Sequence, residues 1–146
     1  MSRWLVATMT SALFIALVIA VTGFESLLAG LVPITQPDAT PDPGPAMVIV
    51  AAAVVFAATA AGAPRGNPGV TGLVAAATAY LVMLGVGAVG YALLRADVTQ
   101  LLVFPAGYAL GPFVVGTVVI VLVVVVAGIS LARHRPRVGE RGDGRP

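Results

Sequence analysis

The chain has 146 residues, of which 59% are hydrophobic and only 10% are charged, with a formal net charge of +2 and a mean hydropathy of +1.03. A soluble domain carries charged side chains at roughly a quarter of its positions to keep its surface hydrated. The composition therefore excludes an ordinary soluble domain and predicts that the folded chain is surrounded by lipid. The absence of cysteine excludes disulfides, thiolate nucleophiles and cysteine-ligated metals.

Four apolar stretches are long enough to cross a bilayer, because about 20 helical residues at about 1.5 Å rise span a hydrocarbon core of about 30 Å. Spanning segments must satisfy their backbone hydrogen bonds internally, and none of these stretches alternates apolar and polar residues as a membrane β-strand does. The sequence therefore predicts an all-α, four-transmembrane-helix bundle that forms a single domain over residues 1–132. The predicted spans are residues 4–24, 46–63, 70–94 and 108–132.

The segments between the spans are rich in proline, glycine and polar residues. Residues 31–45, LVPITQPDATPDPGP, predict an extended loop in water, because proline removes backbone donors and fixes φ. Residues 62–69, GAPRGNPG, predict a tight turn that makes the second and third spans an antiparallel hairpin. Asp97 and Gln100 have the spacing of a capping box, which predicts a short interfacial helix over residues 98–104, interrupted at Pro105.

The arginines predict the orientation of the bundle. If the amino terminus is cytoplasmic, only Arg95 lies outside, and the positive-inside rule favours this placement with both termini in the cytoplasm. The arginines placed inside are Arg3, Arg65, Arg133, Arg135, Arg137, Arg141 and Arg145. A cleaved signal peptide is the alternative for the first span, but its apolar run of about 17 residues exceeds the usual range of about 7 to 15.

Small residues recur at spacings of three or four in the third span, which aligns them on one helix face. Small faces let membrane helices approach closely, so we expect these residues to pack helices together, either within the bundle or in a homo-oligomer. The predicted helix-packing residues are Gly72, Ala76, Ala79, Gly87 and Gly90, with Gly107 and Gly111 at the start of the fourth span.

Polar side chains are sparse within the spans. Thr8, Ser11 and Thr22 lie on roughly one face of the first span, where hydroxyls are expected to bond to their own helix or to bridge to a neighbour rather than to line a pore. Glu25, Arg95 and Asp97 lie at predicted outer ends of spans. We interpret them as hydrated or paired interfacial charges, with a gate or binding site at the outer mouth as the alternative.

The carboxyl-terminal segment, residues 133–146, is a basic tail that we expect to be cytoplasmic and disordered. Arg133, Arg135 and Arg137 are expected to anchor the fourth span to the anionic head groups of the lipid bilayer. The tail lacks the aromatic residues and the folded reader that nucleic-acid binding needs. His134 is the sole histidine, so no metal cluster is expected, and the chain shows no catalytic motif and no cofactor motif.

The layout of the chain resembles the small uncharacterised four-helix membrane proteins of GC-rich actinobacteria in its helix number, its proline-rich first outer loop and its arginine tail. This resemblance implies a bacterial cytoplasmic membrane and no known activity. We therefore expect a non-enzymatic membrane protein that acts through helix contacts with itself or another membrane protein. The alternative is a subunit of a small oligomeric channel or transporter.

Overall fold

The structure, a computed structural model, describes residues 2–29, 43–62 and 67–133. These residues form five α-helices and no strand: α1 (Arg3–Ala29), α2 (Pro43–Gly62), α3 (Pro68–Arg95), α4 (Gln100–Tyr108) and α5 (Pro112–Arg133). All except α4 are long and apolar enough to cross a membrane. The predicted all-α class with four long apolar helices is thus confirmed.

The four long helices form a bundle in which neighbours along the chain run in opposite directions. α1 packs on α2, α2 on α3, α3 on α5, and α5 closes the ring against α1, while α2 also reaches α5 across the centre. Trp4 of α1 stacks on Phe56 of α2, which places the start of one helix beside the end of the next. We call the end of the bundle with Arg3 and Arg133 the arginine end, and the opposite end the α4 end.

Local sequence explains where the helices begin. Pro68 is the first residue of α3, where its fixed φ suits a helix and its missing N–H has no intrahelical partner to lose. Asn67 caps this helix by accepting a hydrogen bond from the Gly69 N–H at 3.0 Å. α5 begins at Pro112, four residues later than the predicted span, because Gly111 N–H donates to Tyr108 O in a turn that separates α4 from α5.

The short helix differs from its prediction in two ways. Thr99 rather than Asp97 is its N-cap residue, and Asp97 instead accepts hydrogen bonds from the Thr99 N–H and hydroxyl. The helix also continues through Pro105 to Tyr108. Proline within a helix costs a backbone hydrogen bond, and here the packing of Tyr108 against Ala88 and Tyr91 of α3 holds the last turn in place.

The bundle has a narrow core and an apolar exterior. Phe14, Met83 and Ile129 are the largest side chains that are fully buried at its centre, surrounded by valines and alanines. Only 22% to 39% of each spanning stretch is buried. Large apolar side chains cover the outside of α1, α3 and α5, whereas α2 exposes Ile49 and several alanines. Soluble monomers rarely expose apolar patches of this extent. The exterior is therefore suited to lipid.

α3 is longer than its neighbour α5, and α4 packs against α3. At about 1.5 Å per residue, the 28 residues of α3 extend about 42 Å and the 22 residues of α5 about 33 Å. Leu93 of α3 and Val98 and Leu102 near α4 are more than three-quarters exposed. The α4 end thus carries an apolar projection.

Candidate functional site

The predicted packing face of α3 lies against α5 at the arginine end. A β-carbon added to Gly72 would lie 2.5 Å from Val126 Cγ2 and 3.3 Å from the Leu122 carbonyl oxygen. Because a real β-carbon cannot approach that closely, only glycine allows α3 and α5 to lie at this separation. Ala76 and Ala79 continue the same buried face one and two turns further along α3.

The face changes character toward the α4 end. Gly87 is buried, but a β-carbon added to Gly90 or to the exposed Gly85 would meet no atom within 4 Å. The close approach at Gly72 is therefore not repeated at Gly85 or Gly90. These two glycines leave shallow positions on the surface of α3.

Gly107 and Gly111 lie before α5 rather than within it. Gly107 belongs to α4 and is exposed, with no atom within 4 Å of an added β-carbon. Gly111 lies in the turn, where an added β-carbon would be 3.1 Å from the Tyr108 carbonyl oxygen. Gly111 is thus constrained by its own turn, and neither glycine packs α5 against another span.

Two further close approaches at the arginine end involve glycines that the sequence reasoning did not assign to packing. A β-carbon on Gly128 of α5 would lie 2.6 Å from Thr10 Oγ1 of α1. One on Gly62, at the end of α2, would lie 2.6 Å from Thr71 Cγ2 and 2.8 Å from Ile129 Cδ1. The sequence assigns Gly62 to the predicted turn of residues 62–69, of which residues 63–66 lie outside the described part; the structure places Gly62 as the last residue of α2, in close contact with α3 and α5.

Arg133 links the ends of two helices. Its guanidinium donates a hydrogen bond of 3.3 Å to the Gly62 carbonyl oxygen, one of the carbonyls left without an intrahelical partner at the end of α2. The positive charge also lies at the negative end of the α2 dipole. Arg133 therefore joins α5 to α2 at the arginine end, while Arg135 and Arg137 are outside the described residues.

Among the described residues, the charged ones at the α4 end are Glu25, Arg95 and Asp97. Arg95 is the last residue of α3, and its guanidinium lies 5.5 Å from the centre of the Tyr91 ring, within the range of a cation–π contact. Asp97 orients the start of α4 through Thr99. Glu25 lies in the last part of α1, and its side chain is outside the described part of the structure.

Three hydroxyl groups of α1 donate hydrogen bonds to backbone carbonyl oxygens. Thr8 donates to the Trp4 carbonyl at 2.9 Å and Thr10 to the Val6 carbonyl at 2.7 Å, each four residues earlier in the same helix. Ser11 reaches the Ala52 carbonyl of α2 at 3.5 Å. For Thr8 and Ser11, this geometry agrees with the predicted bonding to their own helix or to a neighbouring one. In α2, the Thr59 hydroxyl is buried and has no hydrogen-bond partner.

Residues 2–29, 43–62 and 67–133 contain no group of three histidine, cysteine, aspartate or glutamate side chains that could hold a metal ion. The most distinctive geometry in this part of the chain is the set of close helix contacts at Gly62, Gly72 and Gly128. Such contacts position helices against one another.

Comparison with known proteins gives the chain a family. A family model described as a family of unknown function, DUF6121, matches residues 1–146. The chain belongs to this family. No curated protein and no solved structure matches it.

This DUF6121 member thus combines four long apolar helices with three glycine-mediated contacts at one end. The sequence pattern located Gly72 because glycine recurs there with helical spacing. It did not separate Gly72 from Gly90, since the spacing shows which residues share a face but does not show where a neighbouring helix ends its contact with that face.

Proposed function

We propose that this DUF6121 member is an integral protein of the bacterial cytoplasmic membrane that acts, without catalysis, through helix contacts with a second copy of itself or with another membrane protein. The observation that carries this proposal is the exposed face of α3, where Gly85 makes no contact within the bundle. The four apolar helices with outward-facing apolar side chains support insertion in lipid.

The orientation follows from the arginines. Arg3 and Arg133 share one end of the bundle, and the connection between α2 and α3, which contains Arg65 in its sequence, is at the same end. The positive-inside rule makes this end cytoplasmic, with both termini inside. Arg133, Arg135 and Arg137 then lie beside anionic head groups, which attract each arginine by about 1 kcal/mol.

The source is proposed to be a GC-rich bacterium of the actinobacterial kind. Every lysine or arginine position holds arginine, and alanine, valine, glycine and proline are abundant. These are the residues that GC-rich codons encode. The proline-rich segment 31–45 and the arginine tail complete the layout shared with small actinobacterial membrane proteins.

The exposed face of α3 has the features of a helix-association surface. Val74, Leu81 and Val89 are at least half exposed and flank Thr78 and Gly85 on the same face. In lipid, helices associate through close packing and interhelical hydrogen bonds, because little hydrophobic drive remains between them. Gly85 provides a shallow position for a partner helix, and the Thr78 hydroxyl is a hydrogen-bonding group beside it.

Replacement of Gly85 tests this surface. We expect Gly85→Leu to weaken self-association by about 1–2 kcal/mol, or roughly five- to thirtyfold, because the added side chain blocks the close approach. The measurement is energy transfer between donor- and acceptor-labelled copies in liposomes. Gly23→Leu is the matched control, since Gly23 is also an exposed helical glycine with no atom within 4 Å of an added β-carbon.

Equal energy transfer for Gly85→Leu and the unaltered protein would show that α3 is not a self-association surface. Gly87 is unsuitable for this test, because it is buried and its replacement would disturb the bundle itself.

The same liposomes, loaded with a trapped fluorescent solute, separate the proposed function from that of a small channel or transporter subunit. Release of solute by the oligomer, with loss of release in Gly85→Leu, would establish the second function in place of the first.

Single cysteines test the topology, because the chain has none. In cells, a membrane-impermeant maleimide should label Thr40→Cys from outside and should label Gly66→Cys and Glu140→Cys only after the membrane is opened. Labelling of Glu140→Cys in intact cells would reverse the proposed orientation or change the number of spans.

A further inference from the structure

A groove of about 300 Å³ runs along the outside of the bundle between α1 and α5, near the arginine end. Val6, Met9 and Leu13 line it from α1, and Ala127, Gly128 and Leu131 line it from α5. Its volume is at the lower end of the range of roughly 300–1,000 Å³ found for small-molecule sites.

The floor of the groove is a close contact between its two helices. Gly128 brings α5 against Thr10 of α1, and both residues line the groove. The Thr10 hydroxyl is already bonded to the Val6 carbonyl, so it adds little polarity to the floor. The walls are aliphatic or thioether side chains. An apolar chain therefore suits the groove better than a polar ligand.

The groove begins next to a positive charge. Residues 3, 6, 9, 10 and 13 follow the helical spacing of three or four, so Arg3 lies one turn beyond Val6 on the same side of α1. Its guanidinium is held 5.0 Å from the centre of the Trp4 ring, and the side chain is exposed. The first turn of α1, the positive end of its dipole, lies at the same level.

From this arrangement we infer that the groove binds one acyl chain of an anionic phospholipid whose phosphate lies beside Arg3. The α1 wall, from Val6 to Leu13, extends about 10 Å from near the helix start at about 1.5 Å per residue. This length falls within one leaflet of a hydrocarbon core of about 30 Å. The lipid therefore comes from the leaflet at the arginine end, the cytoplasmic leaflet in the proposed orientation, and Arg3 selects its negative head group.

Quenching of tryptophan fluorescence by brominated lipids tests the site. Trp4 is the single tryptophan, so a Trp4→Phe background accepts one new reporter, either Met9→Trp in the α1 wall of the groove or Leu73→Trp on α3. Both positions are well exposed and lie about one to two turns from the arginine end. The full chain is placed in vesicles that contain equal fractions of phosphatidylglycerol and phosphatidylcholine. One preparation carries brominated phosphatidylglycerol, and the other carries brominated phosphatidylcholine.

At the Met9 reporter, we expect brominated phosphatidylglycerol to quench with a relative binding constant about fivefold above that of phosphatidylcholine, the ratio that about 1 kcal/mol for one arginine gives. At the Leu73 reporter, the two lipids should quench alike. Arg3→Gln, added to the Met9 reporter, should remove the preference. Ala127→Phe should remove it by filling the groove, whereas Ala77→Phe on the exposed side of α3 should leave it unchanged.

Three results would overturn the inference. Equal quenching by both lipids at the Met9 reporter would exclude charge selection, and an equal preference at both reporters would indicate general attraction to the bundle surface. Weak quenching at the Met9 reporter with normal quenching at the Leu73 reporter would mean that protein covers the groove. The inference rests on the proposed membrane insertion. If the protein did not insert, neither brominated lipid would quench either reporter, and this result differs from all three above. Far-UV circular dichroism verifies that each variant retains its helices.

Discussion

The two ends of the bundle use glycine in opposite ways. At the arginine end, Gly62, Gly72 and Gly128 each occupy a place where an added β-carbon would lie 2.5–2.6 Å from an atom of another helix. Toward the α4 end, the same test at Gly23, Gly85 and Gly90 finds no atom within 4 Å. The arginine end is therefore closely packed through glycine, whereas Gly23, Gly85 and Gly90 leave the helix surface unoccupied.

The difference shows that residue type alone does not determine packing in an apolar bundle. In lipid, a close contact gains van der Waals energy only where the backbone of a partner helix is present. Glycine therefore stabilises a helix pair at the arginine end, whereas at the α4 end it only lowers the stability of its own helix. The contrast predicts that identical substitutions will have effects of opposite sign at the two ends.

The largest effect is expected from Gly72→Ala. The new β-carbon would collide with Val126, whose branched side chain is stiff, and would press on the Leu122 carbonyl. We expect the free energy of unfolding to fall by about 1–3 kcal/mol, the usual cost of overpacking. The measurement is unfolding by sodium dodecyl sulfate in mixed micelles, followed by circular dichroism.

Gly90→Ala is the matched control on the same helix. Because its β-carbon would meet nothing, the free energy of unfolding should stay constant or rise by up to about 1 kcal/mol from the better helix propensity of alanine. Loss of stability in both variants to the same extent would remove the distinction between the two ends.

A somewhat smaller effect is expected from Gly128→Ala. The added methyl group would lie too close to the Thr10 hydroxyl, and we expect a loss of about 1–2 kcal/mol in the free energy of unfolding. Adding Thr10→Ala removes the colliding atoms and should restore much of this loss. Additive effects of the two substitutions in the double-mutant cycle would contradict the contact, because residues that touch are expected to couple.

The smallest effect concerns a residue with a strained backbone at the α4 end. Ala96, between α3 and α4, has a φ of 50°, in the left-handed region that disfavours side chains. Its neighbours close the end of α3, with Asp97 N–H donating to Ala92 O at 3.2 Å. We expect Ala96→Gly to raise the free energy of unfolding by up to about 1 kcal/mol, because glycine adopts this conformation without steric cost.

Unfolding by sodium dodecyl sulfate again measures the change, and Ala92→Gly is the control variant for Ala96→Gly. Ala92 is within α3, where glycine lowers helix propensity by about 1 kcal/mol, so the sign should reverse within four residues. A destabilising Ala96→Gly would contradict the left-handed geometry of the α3–α4 connection.

Length and hydropathy were sufficient to predict the four long helices, since a run of about 20 apolar residues has few alternatives to a spanning helix. Helix ends were predicted less well. The predicted fourth span begins at residue 108, yet the turn at Gly111 starts α5 at Pro112. Pro105 predicted a helix end, but the contact of Tyr108 with α3 is a tertiary feature that no local pattern shows.

The packing residues were predicted from their spacing alone, and spacing does not show which of them contacts a neighbouring helix. Gly72 and Gly90 satisfy the same periodicity, and only the position of α5 distinguishes them. Gly128 and Gly62 are not part of a series of small residues at spacings of three or four. A glycine within a valine-rich run, as at Gly128, is nevertheless a signal that a neighbouring helix approaches closely. The Arg133 contact with Gly62 depends on residues far apart in sequence and had no local signature.

The position of α5 has a consequence for the order in which the bundle is made. α5 touches each of the other three long helices, through Thr10 of α1, Gly62 of α2 and Gly72 of α3. Synthesis from the amino terminus delivers α5 after the other three long helices, so the faces of these helices that α5 covers stay open until α5 has been made. The bond from the Arg133 guanidinium to the Gly62 carbonyl oxygen therefore joins a late part of the described chain to the end of α2.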